Sequence, residues 1–201
     1  LSIQGYYIID KGKIIKKTLP KEFGDTIDAK RKLIVALMSL GVYGYLWVKL
    51  FRREIIEENH IRFDTNSAFR EDEQFFSKYL EYATTFKCID KENYYYFLPS
   101  SGKIYKGDAY YSLLPVFKSL DVIFDKKLPI DICRLHYENI KDAAVQYILQ
   151  GKKLSAYHLD LYKRMVTILG YTKGFKGKIL YSLILGSTKY THTCKLMLKY
   201  V

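Results

Sequence analysis

The chain has 201 residues, of which 49% are hydrophobic and 27% are charged, and its formal net charge at pH 7 is +12. This length fits one domain or one domain with an appendage, and the composition excludes an intrinsically disordered segment. The three cysteines, Cys88, Cys133 and Cys194, show no Cys-x-x-Cys or Cys/His ligand spacing, which argues against a zinc site and a disulfide framework. Because the cysteines are odd in number and far apart in the sequence, we expect a reducing, cytoplasmic setting.

The first half of the chain alternates predicted strands and helices. Residues 1–9 and the apolar pair at 14–15 flank Asp10-Lys-Gly-Lys13, which predicts a β-hairpin with a glycine-containing turn. Asp25 or Thr26 is placed to cap a helix that ends near Gly41. Further along we expect an extended segment over 41–51, a short helix over 52–59, a short strand over 61–63, a helix from Glu71, and two strands, 86–89 and 94–98, joined by a turn at 90–93.

The second half of the chain has a helical pattern. Beyond the turn-rich residues 99–103, helices are predicted at about 108–124, 130–150, 155–169 and 177–199. Ser155 and Gly170 bracket the third of these as its cap and its stop. The longest apolar run near the C-terminus, 179–185, is too short to span a bilayer. We therefore expect an α/β region over 1–106 and an all-helical region over 107–201.

Most of the excess positive charge lies in the last quarter of the chain. Residues 151–201 contain ten lysines and arginines against one acid, Asp160, and so carry +9 of the net charge of +12. An anionic partner is expected there, either a membrane surface or a nucleic acid. Because the sequence contains no RRM, helix-turn-helix or KH signature, nucleic acid is the less favoured of the two.

Three ordered motifs form the clearest functional pattern. Trp47-Val-Lys-Leu-Phe-Arg52 is followed by Asn59-His-Ile-Arg-Phe63. Glu71-Asp72 then stands at the start of a predicted helix, and the aromatic Tyr94-Tyr-Tyr-Phe97 precedes a Ser/Gly/Lys loop. In this order and spacing, the segment resembles the second half of bacterial family 2 glycosyltransferases of the GT-A type. The opening Gly5-Tyr-Tyr-Ile-Ile-Asp10 is similar to the stretch that follows the metal-binding motif of that family.

The resemblance covers about residues 1–106 and implies both a fold and a function. The implied fold is α/β: the second half of a GT-A-type mixed sheet with flanking helices, followed by an all-helical C-terminal region. The implied function is transfer of a sugar, with inversion, from a nucleotide-sugar to a glycan or lipid-linked acceptor. Such acceptors lie at the cytoplasmic face of the membrane, where the basic helices would meet anionic lipid.

The resemblance assigns the role of general base to Asp72 and a supporting role to Glu71. A carboxylate in the first turn of a helix is favoured in its ionised form, so Asp72 is available to accept a proton. The alternative is that these acids, with Glu73, only decorate a helix start. Arg70 stands where the family usually has a small residue, and it either pairs with the carboxylates or reaches a diphosphate.

Three further residues have two interpretations each. Trp47, the only tryptophan, is either a platform for a sugar ring or a core residue. Lys49 either contacts phosphate or is a solvated charge near a strand end. Lys103 belongs either to a loop that in the family orders over the nucleotide-sugar or to an ordinary surface loop.

The Asp-x-Asp motif of the family, which holds Mn²⁺ or Mg²⁺ on the donor diphosphate, does not occur in this sequence. We therefore expect the metal ligands and the nucleotide-binding half to lie in a longer parent protein, of which this chain is either a segment or a truncated product. Alternatives from other classes are a non-enzymatic basic helical module that binds nucleic acid or an anionic membrane, and a purely helical adaptor in which the Glu-Asp pair is accidental.

Overall fold

The computed structural model describes residues 1–19, 23–67, 69–98, 109–171, 175–187, 189 and 191–198. The protein is mixed α/β and divides into two compact units. Unit 1 comprises Leu1–Asp108 and Pro115–Lys127, and unit 2 comprises Ala109–Leu114 and Leu128–Val201. The domain boundary predicted near residue 106 lies outside the described residues.

Unit 1 is built on a mixed sheet, which has five strands among the residues described. The strands are β1 (Ser2–Asp10), β2 (Lys13–Lys17), β3 (Phe23–Gly24), β4 (Lys49–Leu50) and β5 (Phe86–Phe97). Their order is β2-β1-β5-β3, and β4 pairs with β1. Lys11 and Gly12, at the turn between β1 and β2, have φ angles of 46° and 81°, which suit a tight two-residue turn. The predicted hairpin is confirmed.

The longest strand corrects the prediction of two strands joined by a turn at 90–93. β5 runs through these residues because it pairs in parallel with β1, with a register shift beside Gly5. A Cβ atom at Gly5 would lie 2.7 Å from the Lys17 carbonyl oxygen and 2.8 Å from Cγ of Glu92, so only glycine permits this approach of the strands. The short strand predicted over 61–63 is also wrong, since these residues lie in neither a helix nor a strand.

The helices of unit 1 begin where the sequence predicts them. They are α1 (Ile27–Ser39), α2 (Arg53–Glu58), α3 (Glu71–Tyr82) and the part of α4 (Ala109–Ile123) from Pro115 onward. Thr26 caps α1 through its hydroxyl oxygen, which accepts a hydrogen bond of 3.2 Å from the Ala29 amide. Between α1 and α2, the segment predicted as extended contains turns, a short 3₁₀ turn (Leu46–Val48) and the two residues of β4.

Unit 2 is helical, with α5 (Ile130–Leu149), α6 (Ala156–Leu169), α7 (Phe175–Gly186) and α8 (Thr191–Leu198). Ser155 caps α6, and Gly170 ends it at a φ of 67°, as predicted. The helix predicted over 177–199 is instead two helices, the first of which ends at Gly186. No helix within the described ranges is both long enough and apolar enough to cross a membrane.

Candidate functional site

The candidate site lies at the N-terminus of α3, where three consecutive carboxylates occur. Phe76, Tyr79 and Leu80 are buried and fix one face of α3 in the core of unit 1. The first turn of the helix therefore carries its acids to the edge of an open cavity of about 290 Å³. The cavity is lined by Gly44, Tyr45, Phe69, Arg70, Glu71, Asp72 and Glu73.

The segment that contains Gly44 and Tyr45 is fastened to α3 on both sides. Ser77 donates its hydroxyl to the Glu73 carbonyl at 2.6 Å, so the Tyr43 hydroxyl, 2.9 Å away, is the donor to the Ser77 oxygen. These bonds hold the near end of the segment against the second turn of α3. At the far end, the Arg52 amide donates to the Tyr79 hydroxyl at 3.0 Å.

Gly44 allows the Glu73 side chain to pass close to the cavity wall. A Cβ atom at Gly44 would lie 2.9 Å from Cγ of Glu73, which is closer than real Cβ contacts allow. Sequence reasoning did not identify Gly44 or Tyr45 as site residues. The signal for both is the glycine-punctuated aromatic run that begins at Gly41, which by itself indicates only an extended stretch.

The electrostatic environment of Asp72 raises its pKa. Burial of this half-buried carboxyl makes the largest contribution, and the neighbouring charges of Glu71 and Glu73 act in the same direction. Lys49 acts against them and lowers the pKa of Asp72. The helix N-terminus alone would favour the ionised carboxylate, whereas burial and the two neighbouring acids strengthen the affinity of Asp72 for a proton.

Arg70 directs its charge to Glu73. Its Nη1 atom donates to both carboxylate oxygens of Glu73, at 2.9 and 2.8 Å. Its backbone has a φ of 60°, in the left-handed region, where the chain turns into α3. Arg70 thus pairs with a carboxylate, but the carboxylate is that of Glu73 and not that of Glu71 or Asp72, the acids of the predicted pair.

Trp47 lies in a cluster of aromatic rings that extends to the cavity. The rings of Tyr94 and Tyr96 stack on the indole at centroid distances of 4.5 and 5.0 Å, and Tyr45 stacks on it at 5.0 Å. Tyr6 meets the indole edge-on at 4.9 Å. We call these five rings the aromatic cluster. Trp47 is therefore packed among tyrosines, and Tyr45, which is 37% exposed, is the member that also lines the cavity.

Lys49 is buried rather than solvated. Its Nζ atom donates to the carbonyl oxygens of Val42 at 3.0 Å and Tyr45 at 2.6 Å. The structure thus excludes the interpretation of Lys49 as an exposed charge and leaves its contact with phosphate a prediction. Lys103, the remaining predicted site residue, lies outside the described residues.

The described ranges contain no group of three or more His, Cys, Asp or Glu side chains that could hold a metal ion. His158 of α6 is buried in unit 2, and its Nε2 atom lies within hydrogen-bond distance, 3.0 Å, of the Ile140 carbonyl oxygen. The described part of the chain therefore does not fit the divalent metal that the family resemblance implies.

No model of a known protein family matches this chain, and no curated protein matches it in sequence. The site is therefore interpreted from its geometry and from the ordered motifs.

Proposed function

We propose that this chain is the acceptor-side part of an inverting glycosyltransferase of the GT-A type, with Asp72 as the general base. The observation that carries the proposal is the position of Asp72 in the first turn of α3, at an open cavity bounded by Tyr45 of the aromatic cluster. The parallel pairing of β1 with β5 is compatible with a GT-A arrangement. The transferred sugar comes from a nucleotide-sugar, and the acceptor is a glycan or a lipid-linked glycan.

The chemistry requires one base beside the acceptor. The acceptor hydroxyl oxygen attacks the anomeric carbon, the bond from that carbon to the diphosphate oxygen breaks, and the acceptor proton passes to the Asp72 carboxylate. A base works best when its pKa approaches the working pH, so the raised pKa of Asp72 suits this role. The exposed part of the Tyr45 ring offers an apolar face against which a sugar ring can stack.

A divalent metal would supply counter-charge to the leaving diphosphate. Because the sequence contains no Asp-x-Asp motif and the described residues offer no ligand set, we propose that the donor and its metal are held by residues outside this chain. The role of this chain in the proposed reaction is then to orient the acceptor and to accept its proton.

The 201 residues alone should bind nucleotide-sugars only weakly and should neither hydrolyse them nor transfer sugar from them. The reason is that the diphosphate lacks its metal counter-charge in this part of the protein. Isothermal titration of the chain with uridine, guanosine and thymidine diphosphate sugars, with and without Mn²⁺, measures this. Tight, metal-dependent binding would show that the donor site has been misplaced.

A second candidate function is binding of unit 2 to an anionic membrane surface at the cytoplasmic face. Lys152, Lys153, Lys163 and Lys178 are exposed. The single acid of residues 151–201, Asp160, is neutralised by Arg164 at 2.9 Å. Each basic residue near an anionic leaflet contributes about 1 kcal/mol to binding.

Removing two of these charges should weaken binding to anionic vesicles by about tenfold or more. The variant is Lys152→Gln with Lys153→Gln, and the matched control is Lys11→Gln with Lys13→Gln, an exposed pair in unit 1. Co-sedimentation with phosphatidylserine vesicles should distinguish the two variants, and added salt should weaken binding steeply. Equal recovery with neutral and anionic vesicles would exclude this function, and tighter binding to an oligonucleotide would favour a nucleic-acid partner.

A further inference from the structure

Lys49 is the charged side chain most completely enclosed at the site. It is 6% exposed, it donates to the carbonyl oxygens of Val42 and Tyr45, and its Nζ lies 4.5 Å from the centroid of the Phe76 ring. Burial of an ammonium group without partners is strongly unfavourable. Here two carbonyl oxygens accept hydrogen bonds from the ammonium and an aromatic ring lies beside it, which lowers the cost of its burial. These contacts bind the Val42–Tyr45 segment to one fixed point beside α3.

The same ammonium acts electrostatically on Asp72. Burial lowers the pKa of Lys49 to about 7, and the Asp72 carboxylate opposes that shift. Reciprocally, Lys49 lowers the pKa of Asp72 against burial, Glu71 and Glu73. Titratable or charged groups also lie on the elements around Lys49: Tyr43, Tyr45 and Arg52 on its own segment, Glu71, Asp72 and Glu73 in the first turn of α3, and the N-terminal amine and Tyr6 at and beyond the β1 residues that pair with β4.

We propose that Lys49 is a positioning residue for Asp72: its buried ammonium fixes the Tyr45 carbonyl at the cavity wall and supplies the positive charge that balances the Asp72 carboxylate. The inference rests on the proposed function in that it assigns Lys49 a role in preparing the base. A neutral side chain of the same length would fill the same space. It would not oppose the negative charges of Glu71 and Glu73 that act on Asp72.

The proposal predicts reciprocal changes in two pKa values, which a purely structural lysine does not produce. In the chain labelled with ¹³C at lysine and aspartate side chains, nuclear magnetic resonance titration should show Lys49 losing its proton near pH 7. Asp72→Asn should lower the pKa of Lys49 further, and Lys49→Met should raise that of Asp72. Because the coupling is mutual, the two changes should be similar in size.

A third variant separates the charge from the hydrogen bonds. Lys49→Gln keeps a donor for a carbonyl oxygen but removes the charge, so the pKa of Asp72 should rise as in Lys49→Met. The amide signals of Gly44 and Tyr45 should stay nearer to those of the wild type in Lys49→Gln than in Lys49→Met. Lys32→Met, at an exposed lysine, is the control and should change neither the Asp72 pKa nor these signals.

The proposal would be overturned if the pKa of Lys49 were unchanged in Asp72→Asn and the pKa of Asp72 were unchanged in Lys49→Met. It would also be overturned if Lys49 of the wild type titrated with the exposed lysines. If a Lys49 variant fails to fold, the wild type and Asp72→Asn still decide the question, since both report the Lys49 pKa. The test uses no transfer assay. Reciprocal shifts together with full turnover in Asp72→Asn would therefore refute the proposed base while leaving the electrostatic coupling of Lys49 and Asp72 in place.

Discussion

Asp72→Asn should lower the rate of sugar transfer by about 10²–10⁴-fold in the longer enzyme proposed above. Asparagine has nearly the shape of aspartate and forms hydrogen bonds, but it cannot accept the acceptor proton. The loss corresponds to roughly 3–5 kcal/mol in the activation barrier and should fall on kcat. The affinity for the nucleotide-sugar should change little, because the proposed donor site lies outside these residues.

Glu71→Gln is the matched control for the Asp72 variant. It removes a charge from the adjacent position of the same turn, so its effect on turnover should be smaller if Glu71 only supports the site. Neither substitution should alter the free energy of unfolding by more than about 1 kcal/mol, since a first-turn acid acts on stability mainly through the helix dipole. Transfer rate, donor affinity and unfolding are to be measured on the same preparations. Near-normal turnover by folded Asp72→Asn would mean that the base lies elsewhere.

Trp47→Ala should be the most destabilising change among the proposed site residues, with a loss of about 2–3 kcal/mol in the free energy of unfolding. The half-buried indole contacts four tyrosines, two of them on β5 and one on β1, so its removal takes a ring partner from each of them. Trp47→Phe should recover part of the loss because it keeps one ring in the cluster.

The control for Trp47 is Phe97→Ala, which removes a ring that is 70% exposed at the end of β5. Its effect should be within about 0.5 kcal/mol, as is usual for surface substitutions. Urea unfolding followed by far-ultraviolet circular dichroism measures all three variants. If Trp47→Ala were as stable as the wild type, the indole would not be a packing residue, and the sugar-platform interpretation would gain support.

The elements that the sequence predicts correctly are those specified by neighbouring residues. Thr26 caps α1, Ser155 and Gly170 bound α6, and the turn at Lys11 and Gly12 closes the hairpin. Each of these signals acts within a few residues, through a hydroxyl oxygen that accepts from the backbone or a backbone angle that glycine adopts readily.

The sequence mispredicts β5 and the exposure of Lys49 because both depend on distant contacts. Residues 90–93 have the composition of a turn, yet they belong to β5 because this strand pairs with β1. The glycine that permits the close approach, Gly5, lies far from them in the sequence. Lys49 has the sequence signature of a solvated strand end. Its burial depends on the carbonyl groups of Val42 and Tyr45 and on the Phe76 ring from α3, which only the tertiary fold brings together.

The residues of the candidate site likewise differ in whether the sequence alone predicts them. Glu71 and Asp72 could be identified from their place before a helix with apolar periodicity. Gly44 and Tyr45 could not, because their place in the cavity depends on the bonds from Tyr43 to Ser77 and from Arg52 to Tyr79. Arg70 pairs with Glu73 and not with Glu71 or Asp72, and this pairing occurs where the backbone turns into α3.

The anomeric configuration of the product tests the central claim most directly. A single displacement assisted by one base, Asp72, inverts the configuration of the sugar, whereas two successive displacements retain it. The proposed longer enzyme is to be incubated with a nucleotide-sugar donor and an acceptor glycan, and the first product examined by proton nuclear magnetic resonance. We predict a linkage of inverted configuration whose formation is lost in Asp72→Asn. A product that retains the donor configuration would contradict the account.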